Sequence, residues 1–441
     1  MKYFFTVFIC KIFILLLKLM GKKATSAPGK LAFKLYPDIL KEYQGRVKKE
    51  IIAVMGTNGK TTTNNLLADF FEEAGYNVVC NRIGANMDEG SLVAFLNKTS
   101  LFGRTNIDYA CLEMDEGWAE YILNFITPSK IVVTNLFADQ LDRYGSMESI
   151  MEFLKKAIRK APNATLILNA DDPISCAMAK EFENEKVYFG IKDKLSEIET
   201  SLNEGKNCFV CGQPLEFEFR HFSHLGKYKC LCGFERPENE FNAKDISLFP
   251  AVDFEIENYG RLTLNSRGLY NVYNTLAAFS AATKCQVEFE AIKRAIEKYK
   301  PQTGRMEKLS IKGKESYLIL AKNPAGFNLS ISAIAEDMRK KDIYLAVNNR
   351  ISDGVDVSWL KDVDFSPIIN ESTISFTTAG TKATDALKRL KEQNAFNCTS
   401  FDDMKSAIEN TISNSTGDVI YFLANYTALY ETKEILDEVR I

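Results

Sequence analysis

The sequence predicts an α/β protein with two parallel-sheet domains and a small cysteine-rich insertion. An apolar run at residues 51–55 leads into a glycine-rich turn and a segment with helical spacing, as in a nucleotide-binding unit. A second series of strand and helix patterns begins near residue 306. The length of 441 residues suits two to three domains. We divide the chain into a lead-in (1–45), a central domain (46–304) and a C-terminal domain (305–441).

The composition restricts the chemistry. Lys and Arg number 55 against 58 Asp and Glu, and this balance argues against nucleic acid as a partner. The chain has ten cysteines but only two histidines, His221 and His224, which lie close together. Two histidines leave few candidates for Ser-His or Cys-His catalysis, so we expect the chemistry to depend on Lys, Arg, Asn and carboxylates.

The lead-in begins with an apolar helix. Residues 3–20 are apolar except for Thr6, Lys11 and Lys18, and the two lysines fall on one helical face. Lysines near the middle of a membrane-spanning helix are costly. We favour a helix that packs on its own protein, and a signal peptide or a helix lying on the inner face of the membrane are the alternatives.

A shortened phosphate-binding loop follows the first strand of the central domain. Strand, loop, helix and next strand form a unit whose backbone N–H groups point at phosphates. In this loop Lys60 is expected to reach the β and γ phosphates, and the Thr61 hydroxyl to hold Mg²⁺. Val54 stands where the longer loop pattern has its first glycine. The expected ATP-binding residues are Gly56, Thr57, Asn58, Gly59, Lys60, Thr61 and Thr62.

The cysteine-rich insertion spans about residues 203–237. Cys208 and Cys211 form one knuckle and Cys230 and Cys232 form another, which together predict a structural Zn²⁺ ribbon with four thiolates. The second knuckle has one residue fewer than usual, so His221 or His224 is an alternative ligand, and a disulfide pair is another interpretation. The other cysteines are expected to be reduced core residues: Cys10, Cys80, Cys111, Cys176, Cys285 and Cys398.

The C-terminal domain alternates strands and helices. YLILA is expected to be a strand, KNPAGFN a loop, SISAIAEDMRKK a helix and DIYLAVNN a strand. The runs STISFTT and DVIYFLAN are further strands, and TDALKRLKEQ is a helix. This pattern predicts a Rossmann-like domain with a parallel sheet.

The loop GTNGKTTT (residues 56–63) resembles that of the Mur ligase superfamily of ATP-dependent amide-forming enzymes. The resemblance implies Glu113 of CLEMDEGW as a second Mg²⁺ ligand beside Thr61, with Gln140 where many members carry a metal-binding His. Lys155, or its neighbour Lys156, stands near the carbamoylated lysine of some members. The resemblance also implies three further nucleotide-contacting residues, Asn271, Asn274 and Arg305.

The inserted ribbon, KNPAG and DGVDVSW together resemble the MurT family, the ligase subunits of lipid II isoglutaminyl synthases. The resemblance implies a cytoplasmic enzyme that uses ATP and Mg²⁺ to amidate the D-glutamate α-carboxylate of lipid II, with Lys60 and Glu113 as catalytic residues. It also implies a GatD-like glutamine amidotransferase partner. An aspartate of this chain would complete the partner's catalytic triad, and we prefer Asp353 over Asp356.

Two alternative functions are also compatible with parts of the sequence. An ordinary amino-acid-adding Mur ligase, or an enzyme like folylpolyglutamate synthase, would need neither the ribbon nor a partner. A zinc-ribbon binding protein with a vestigial nucleotide site would keep its function when Lys60 is replaced by Ala. The main hypothesis predicts that ATP and glutamine are consumed. The first alternative predicts that ATP and a free amino acid are consumed, and the second predicts that ATP is not required.

Overall fold

The computed structural model describes residues 1–21, 24–82, 85–137, 146–195, 205–354 and 356–439. Its strands form a nine-stranded sheet, a six-stranded sheet and a separate two-stranded hairpin. The two larger sheets are consecutive along the chain, as the two series of strand and helix patterns predict.

The first sheet has the order β11-β10-β9-β6-β5-β4-β1-β3-β2. The seven strands from β9 to β2 pair in parallel, whereas β9, β10 and β11 pair antiparallel at one edge. Parallel strands carry their loops at one edge, so the loops after β1, β3 and β4 meet there. The strands are β1 (Val47–Met55), β2 (Val78–Cys80), β3 (Ile107–Glu113), β4 (Lys130–Val133), β5 (Thr165–Asn169), β6 (Lys186–Ile191), β9 (Phe241–Ser247), β10 (Val252–Ile256) and β11 (Gly260–Leu264).

Helices cover both faces of this sheet. On one face, α4 (Lys60–Glu73) packs with α9 (Leu269–Lys284) and α10 (Phe289–Glu297) around a buried aromatic and aliphatic core. The predicted β1-loop-α4 unit is confirmed, and Gly75 follows the end of α4 with a left-handed backbone. The other face carries α1 (Lys2–Leu19), α2 (Ala27–Leu35), α3 (Lys41–Gln44), α5 (Asp88–Lys98), α6 (Glu116–Ile122), α7 (Met147–Arg159) and α8 (Pro173–Ala179).

The second sheet has the order β12-β13-β17-β14-β15-β16, in which β12 and β13 are antiparallel and the other pairs are parallel. Its strands are β12 (Arg305–Ile311), β13 (Lys314–Leu320), β14 (Lys341–Ala346), β15 (Thr373–Ala379), β16 (Cys398–Ser400) and β17 (Val419–Ala424). Its helices are α11 (Pro324–Ala335), α12 (Ala383–Glu392), α13 (Met404–Asn414) and α14 (Tyr426–Val439), with two 3₁₀ turns (Ser358–Asp362 and Ser366–Ile368).

One predicted loop in this second unit is wrong. Most of KNPAGFN belongs to α11, which begins at Pro324 rather than at the following serines. Asn323 caps the helix by accepting a hydrogen bond from the Gly326 backbone N–H at 2.6 Å. Proline fits the first helical position because the N–H it lacks has no partner there in any case. The strand-loop-helix order is therefore right, but the loop is shorter than predicted.

A buried arginine joins the two sheets. Arg267 follows β11, and its guanidinium donates to Asp337 at 2.7 Å and also hydrogen-bonds the Tyr421 hydroxyl. Its charged plane also lies over the ring of Tyr317, 4.4 Å from the centroid. Arg339 holds Asp337 from the other side and reaches Glu315 at 2.8 Å. This charged network fastens the loop before α9 to the second sheet.

The first helix is confirmed as a helix that packs on its own protein. Its buried residues, among them Val7, Cys10 and Ile14, contact the layer that contains α2 and α5. Lys11 donates from its ammonium group to the backbone carbonyl of Leu96 at 3.1 Å. Among the described residues, no helix combines the length and the apolar character needed to cross a membrane.

The insertion contains the hairpin of β7 (Glu216–Phe222) and β8 (Leu225–Lys229), and the paired cysteines lie just outside it. Cys208 and Cys230 are buried, whereas Cys211 and Cys232 are exposed. The antiparallel hairpin therefore brings two short loops together that are distant in sequence.

Candidate nucleotide and ligase site

A cleft lies where the carboxyl edge of the first sheet faces the start of the second unit. The phosphate loop, the end of β3 and the start of α9 line it from one side. Arg305, Lys322 and Asn323 line it from the other side. The cleft therefore brings most of the predicted nucleotide-binding residues together with residues from the second unit.

The phosphate loop is shaped by its two glycines. Gly56 and Gly59 have φ of +114° and +83°, conformations that glycine adopts without strain. A Cβ at Gly59 would lie 2.0 Å from Oδ1 of Asn274. Helix α4 begins directly after Gly59, so its N-terminal N–H groups face the cleft. A side chain at Gly56 or Gly59 would fill the space inside the loop. This open space fits the phosphates of ATP.

Side chains from the β4 edge hold the loop in place. Asn135 accepts from the Asn58 backbone N–H at 3.0 Å and donates to its carbonyl at 3.1 Å. The hydroxyl of Thr134 donates to the same carbonyl at 2.7 Å. Neither residue was predicted to belong to the site, although both directly follow β4.

Lys60 lies at the start of α4 with its ammonium group inside the loop. It donates to the carbonyls of Gly56 and Thr57 and forms an ion pair with Glu116 at 2.8 Å. Burial raises the pKa of Glu116, an effect that the ammonium of Lys60 opposes. No sequence pattern indicates Glu116 as a partner of Lys60, because the two residues are 56 positions apart.

Glu113 is the last residue of β3, and the surroundings of its carboxylate show whether it suits a metal ion. Its side chain is 2% exposed, and Oε1 accepts a long hydrogen bond from Asn86 at 3.4 Å. Oε2 has no hydrogen-bond partner among the described residues. A buried carboxylate oxygen without a donor, in a cleft shared with the Thr61 hydroxyl, suits Mg²⁺. The neighbouring Asp115 instead caps α6 by accepting from Gly117 at 3.1 Å.

Asn271 and Asn274 lie on one face of α9 but differ in their surroundings. Asn274 contacts the phosphate loop and donates to Oδ1 of Asn271 at 3.3 Å. Asn271 donates to Ser266 and to the Arg267 carbonyl at 2.9 and 2.8 Å. Asn274 therefore borders the cleft, whereas Asn271 fixes the start of the helix.

Arg305 opens β12 and reaches the cleft from the second unit. Within the described ranges, no hydrogen bond or ion pair occupies its guanidinium group. A half-buried arginine in this state is suited to bind a phosphate oxygen.

The four predicted zinc ligands converge. The sulfur atoms of Cys208, Cys211, Cys230 and Cys232 all lie within 4.8 Å of one another. Cys208 Sγ is 3.8 Å from Cys232 Sγ, and Cys211 Sγ is 3.5 Å from Cys230 Sγ. Four thiolates 2.3 Å from a tetrahedral zinc ion would be separated by about 3.8 Å. The donor set and spacing thus fit zinc, and the shorter second knuckle does not prevent convergence.

Neither histidine belongs to this sulfur cluster. His224 is fully buried, with Nε2 3.3 Å from Asp172 and its ring against Phe137. His221 is also buried, and burial lowers its pKa. Both side chains contribute to the packing around the hairpin.

Asp353 and Asp356 differ in exposure. Asp353 is half-buried and accepts from both the backbone N–H and the hydroxyl of Thr427 at the start of α14. Asp356 is exposed and, among the described residues, accepts within its own turn, from the N–H and hydroxyl of Ser358 at 2.8 and 2.7 Å. The Ser358 N–H lowers the pKa of Asp356.

The residues considered for a second metal position lie elsewhere or outside the described residues. Lys155 pairs with Glu181, and Lys156 lies over the ring of Phe153, so neither lines the cleft. Gln140 falls outside the described part of the chain.

The fold and cleft define an ATP-dependent ligase of the Mur type. The model of the Mur ligase middle domain matches residues 54–282, and that of the MurT ligase C-terminal matches residues 320–429. The chain belongs to the MurT family.

Curated relatives agree with this assignment. The chain is 34% identical to the Staphylococcus aureus (strain COL) protein named lipid II isoglutaminyl synthase (glutamine-hydrolyzing) subunit MurT, over 84% of each chain. It is 32% identical to the Streptococcus pneumoniae protein of the same name, over 94% of this chain and 92% of that protein.

Solved structures share the fold. A pseudomurein peptide ligase type C from Methanothermus fervidus has a TM-score of 0.70 at 26% identity, covering 91% of this chain and 81% of its own. MurF ligase from Thermotoga maritima in complex with ADP has a TM-score of 0.64 at 14% identity, covering 92% and 84%. At that identity, the second likeness concerns the fold alone.

Proposed function

We propose that this chain is the synthetase subunit of a lipid II isoglutaminyl synthase. It uses ATP to convert the α-carboxylate of D-glutamate in the lipid II stem peptide to the amide of D-isoglutamine. The observation that carries this proposal is the match to MurT subunits along nearly the whole chain, at whose centre lies a cleft built to hold phosphates.

The reaction has two transfers. A carboxylate oxygen attacks the γ-phosphorus of ATP, and the bond from this phosphorus to the bridging β-phosphate oxygen breaks. ADP is the leaving group, and the product is an acyl phosphate. Ammonia then attacks the carbonyl carbon, inorganic phosphate leaves with the C–O bonding electrons, and the nitrogen loses a proton. Such a reaction needs positioning and cationic groups more than a nucleophilic side chain.

This chain provides those groups in the cleft. Lys60 would exchange its loop carbonyls and Glu116 for phosphate oxygens, and Arg305 would bind phosphate from the second unit. Thr61 and Glu113 would hold Mg²⁺, which neutralises charge on the transferring phosphate. Asn274 would keep the loop in register beside the nucleotide.

The ammonia would come from a GatD-like glutamine amidotransferase. A glutaminase needs an activated cysteine beside a histidine, and both histidines of this chain are buried around the hairpin. One aspartate of DGVDVSW would complete the partner's triad. The exposure of Asp356 supports this residue, whereas the bonds of Asp353 to Thr427 support a role in fixing α14.

Single substitutions separate the two aspartates. The triad member, when replaced by Asn, loses glutamine-dependent amidation and keeps ammonia-dependent amidation. We expect this pattern for Asp356→Asn, and a lower melting temperature with both activities reduced together for Asp353→Asn. The opposite assignment would return the triad role to Asp353.

The cysteine cluster would hold one structural Zn²⁺. Four converging thiolates support a closed site, which leaves no open position for catalysis. The ion would tie the two loops beside the β7–β8 hairpin together.

The function is tested by incubating the chain and its co-purified partner with lipid II, ATP and glutamine. We expect one ADP to be released for each amide formed. The amide is detected by mass spectrometry of the stem peptide. Lys60→Ala should abolish amidation, while Lys156→Ala, which alters a lysine outside the cleft, should retain it. ATP hydrolysis driven by a free amino acid without a partner would favour an ordinary Mur ligase. Unchanged function in Lys60→Ala would favour a vestigial nucleotide site.

The requirement for ATP supports a cytoplasmic location for this reaction. Lipid II carries its stem peptide on a membrane-anchored carrier, so the cleft would work close to the membrane surface.

A further inference from the structure

Helix α1 has a second apolar face that no described part of the protein covers. Its side chains are between 40% and 77% exposed, although all are large and apolar. At about 100° per residue, they fall within about 120° of the helix circumference, on the side away from the buried residues. This outer stripe consists of Phe4, Phe5, Phe8, Ile12, Leu15, Leu16 and Leu19.

A neighbouring loop extends the outer stripe. Phe102 is 73% exposed and Leu101 is 40% exposed. The next residue, Gly103, lies against the first turn of α1, since a Cβ there would meet the Phe4 ring at 2.6 Å. The hydroxyl of Tyr3 also donates to the Gly103 carbonyl at 3.3 Å. Two separate elements therefore present apolar side chains side by side.

Positive charge borders the outer stripe. In the same helical projection, Lys11 and Lys18 lie along one edge and Lys2 along the other. Residues 1–37 contain seven lysines and no acidic residue, so they carry +7 in a chain of net charge −3. The remaining residues therefore carry −10. Positive charge is therefore concentrated in the segment whose described residues form the outer stripe.

We propose that the outer stripe of α1, with Leu101 and Phe102, docks this protein on an anionic lipid bilayer. Large apolar side chains would enter the boundary between headgroups and acyl chains, while Lys2 and Lys18 contact the headgroups. A second copy of the chain is a poorer occupant, because it would bring the three lysines of another α1 against the same positively charged surface. The lysines also explain why the helix lies on the membrane rather than across it.

Docking through α1 would hold the helix layer that contains α1 and α5 at the membrane. Helix α1 packs on α5, and the segment just before α5 supplies Asn86, which donates to Glu113 in the cleft. The inference goes beyond the proposed function, because membrane binding requires neither ATP nor substrate.

The test is sedimentation of the full chain with vesicles, in the absence of ATP and substrate. We expect binding to equimolar phosphatidylglycerol and phosphatidylcholine vesicles, and weaker binding to phosphatidylcholine alone. The variant Leu15→Ser/Leu19→Ser should bind the anionic vesicles about tenfold more weakly or worse. Lys18→Gln should weaken binding about fivefold, as expected for the loss of one interfacial charge.

The matched control is Met338→Ser/Phe396→Ser, which removes two exposed apolar side chains from the second unit and should leave binding unchanged. Circular dichroism melting of each variant checks the fold. Failure of the wild type to bind anionic vesicles would overturn the proposal, as would equal binding by Leu15→Ser/Leu19→Ser. A dimer that this variant dissociates would assign the outer stripe to self-association instead. Amidation of a water-soluble, short-chain substrate tests the proposed function separately.

Discussion

Gly59 and Gly75 flank α4 and form a natural pair for testing the phosphate loop. Both have a left-handed backbone, with φ of +83° and +89°, so replacement by Ala should cost each about 1 kcal/mol of stability. Only at Gly59 would the new Cβ clash with Asn274, because nothing lies within 4 Å of a Cβ at Gly75. We therefore expect Gly59→Ala to weaken ATP binding about tenfold or more, and Gly75→Ala to leave it unchanged. Calorimetric titration measures the affinity, and equal losses would contradict the proposed role of the loop.

Glu113 is expected to set the requirement for Mg²⁺. Its buried Oε2 has no hydrogen-bond partner in the described structure, so Glu113→Gln replaces an anionic oxygen ligand by a neutral amide. The Mg²⁺ concentration for half-maximal ATP turnover should rise about tenfold or more. Glu120→Gln, on the nearby helix α6, serves as the control. A variant Glu113→Gln with an unchanged Mg²⁺ titration would remove this residue from the metal site.

The sequence identified local features of the site better than its distant contacts. Lys60 and Glu113 both line the cleft: Lys60 follows a strand in a recognisable loop pattern, and Glu113, which the family resemblance implies, ends a strand. Glu116 was not predicted as the partner of Lys60, since their 2.8 Å ion pair joins residues 56 positions apart. Asn135 was missed for the same reason, because its bonds to the phosphate loop depend on the pairing of β1 with β4.

The paired cysteine loops predict a measurable metal content. Zinc analysis of the purified chain should give about one ion per molecule, as expected for a closed four-thiolate site. Cys211→Ser/Cys230→Ser should lose the ion and melt at a lower temperature, since metal binding contributes directly to folding. Cys398→Ser, which changes a cysteine outside the cluster, should retain both zinc and stability. Zinc retained by the double variant would exclude the sulfur cluster as its site.

Helices and strands were predictable wherever periodicity and local signals agreed. The apolar run at residues 51–55 predicts the strand before the phosphate loop. The helical spacing after the loop predicts α4, which ends just before Gly75. The beginning of α11 was placed too late, because Asn323 and Pro324 were interpreted as loop residues although they are also a cap and a first helical residue. Strand β9 lies after the predicted insertion, and its sequence was not predicted to be a strand.

The network between the two sheets predicts how acid destabilises the whole protein. Burial raises the pKa of Glu315, but hydrogen bonds from Lys308, Arg339 and Tyr317 outweigh it and lower the pKa to about 2. The pKa of a glutamate in an unfolded chain is about 4.3. The stabilisation is therefore complete above that pH and is lost as the pH falls toward 2.

Replacement of this carboxylate tests the prediction. We expect the melting temperature of Glu315→Gln to fall less steeply than that of the wild type between about pH 5 and pH 3. The surface variant Glu371→Gln should follow the wild-type curve. Parallel curves for Glu315→Gln and the wild type would show that this network does not control acid stability.

The arrangement of the two sheets was only partly predictable. The number of parallel-sheet units follows from the repeated alternation of strands and helices. Their relative placement depends on Arg267, which is buried against Asp337 and Tyr421 from the other unit. A single arginine in a sequence gives no indication that it will bridge two units, because its partners are 70 and 154 residues away.

The packing of α1 has a consequence during protein synthesis. Its inner face is covered by α2 and α5, and α5 ends at Lys98, which is 79 residues after the end of α1 at Leu19. At about 5–20 residues per second, the ribosome needs about 4–16 s to make that stretch. During this interval the nascent chain exposes both the inner and outer apolar faces of α1. Chaperones or the membrane therefore meet this helix before the rest of the protein can cover it.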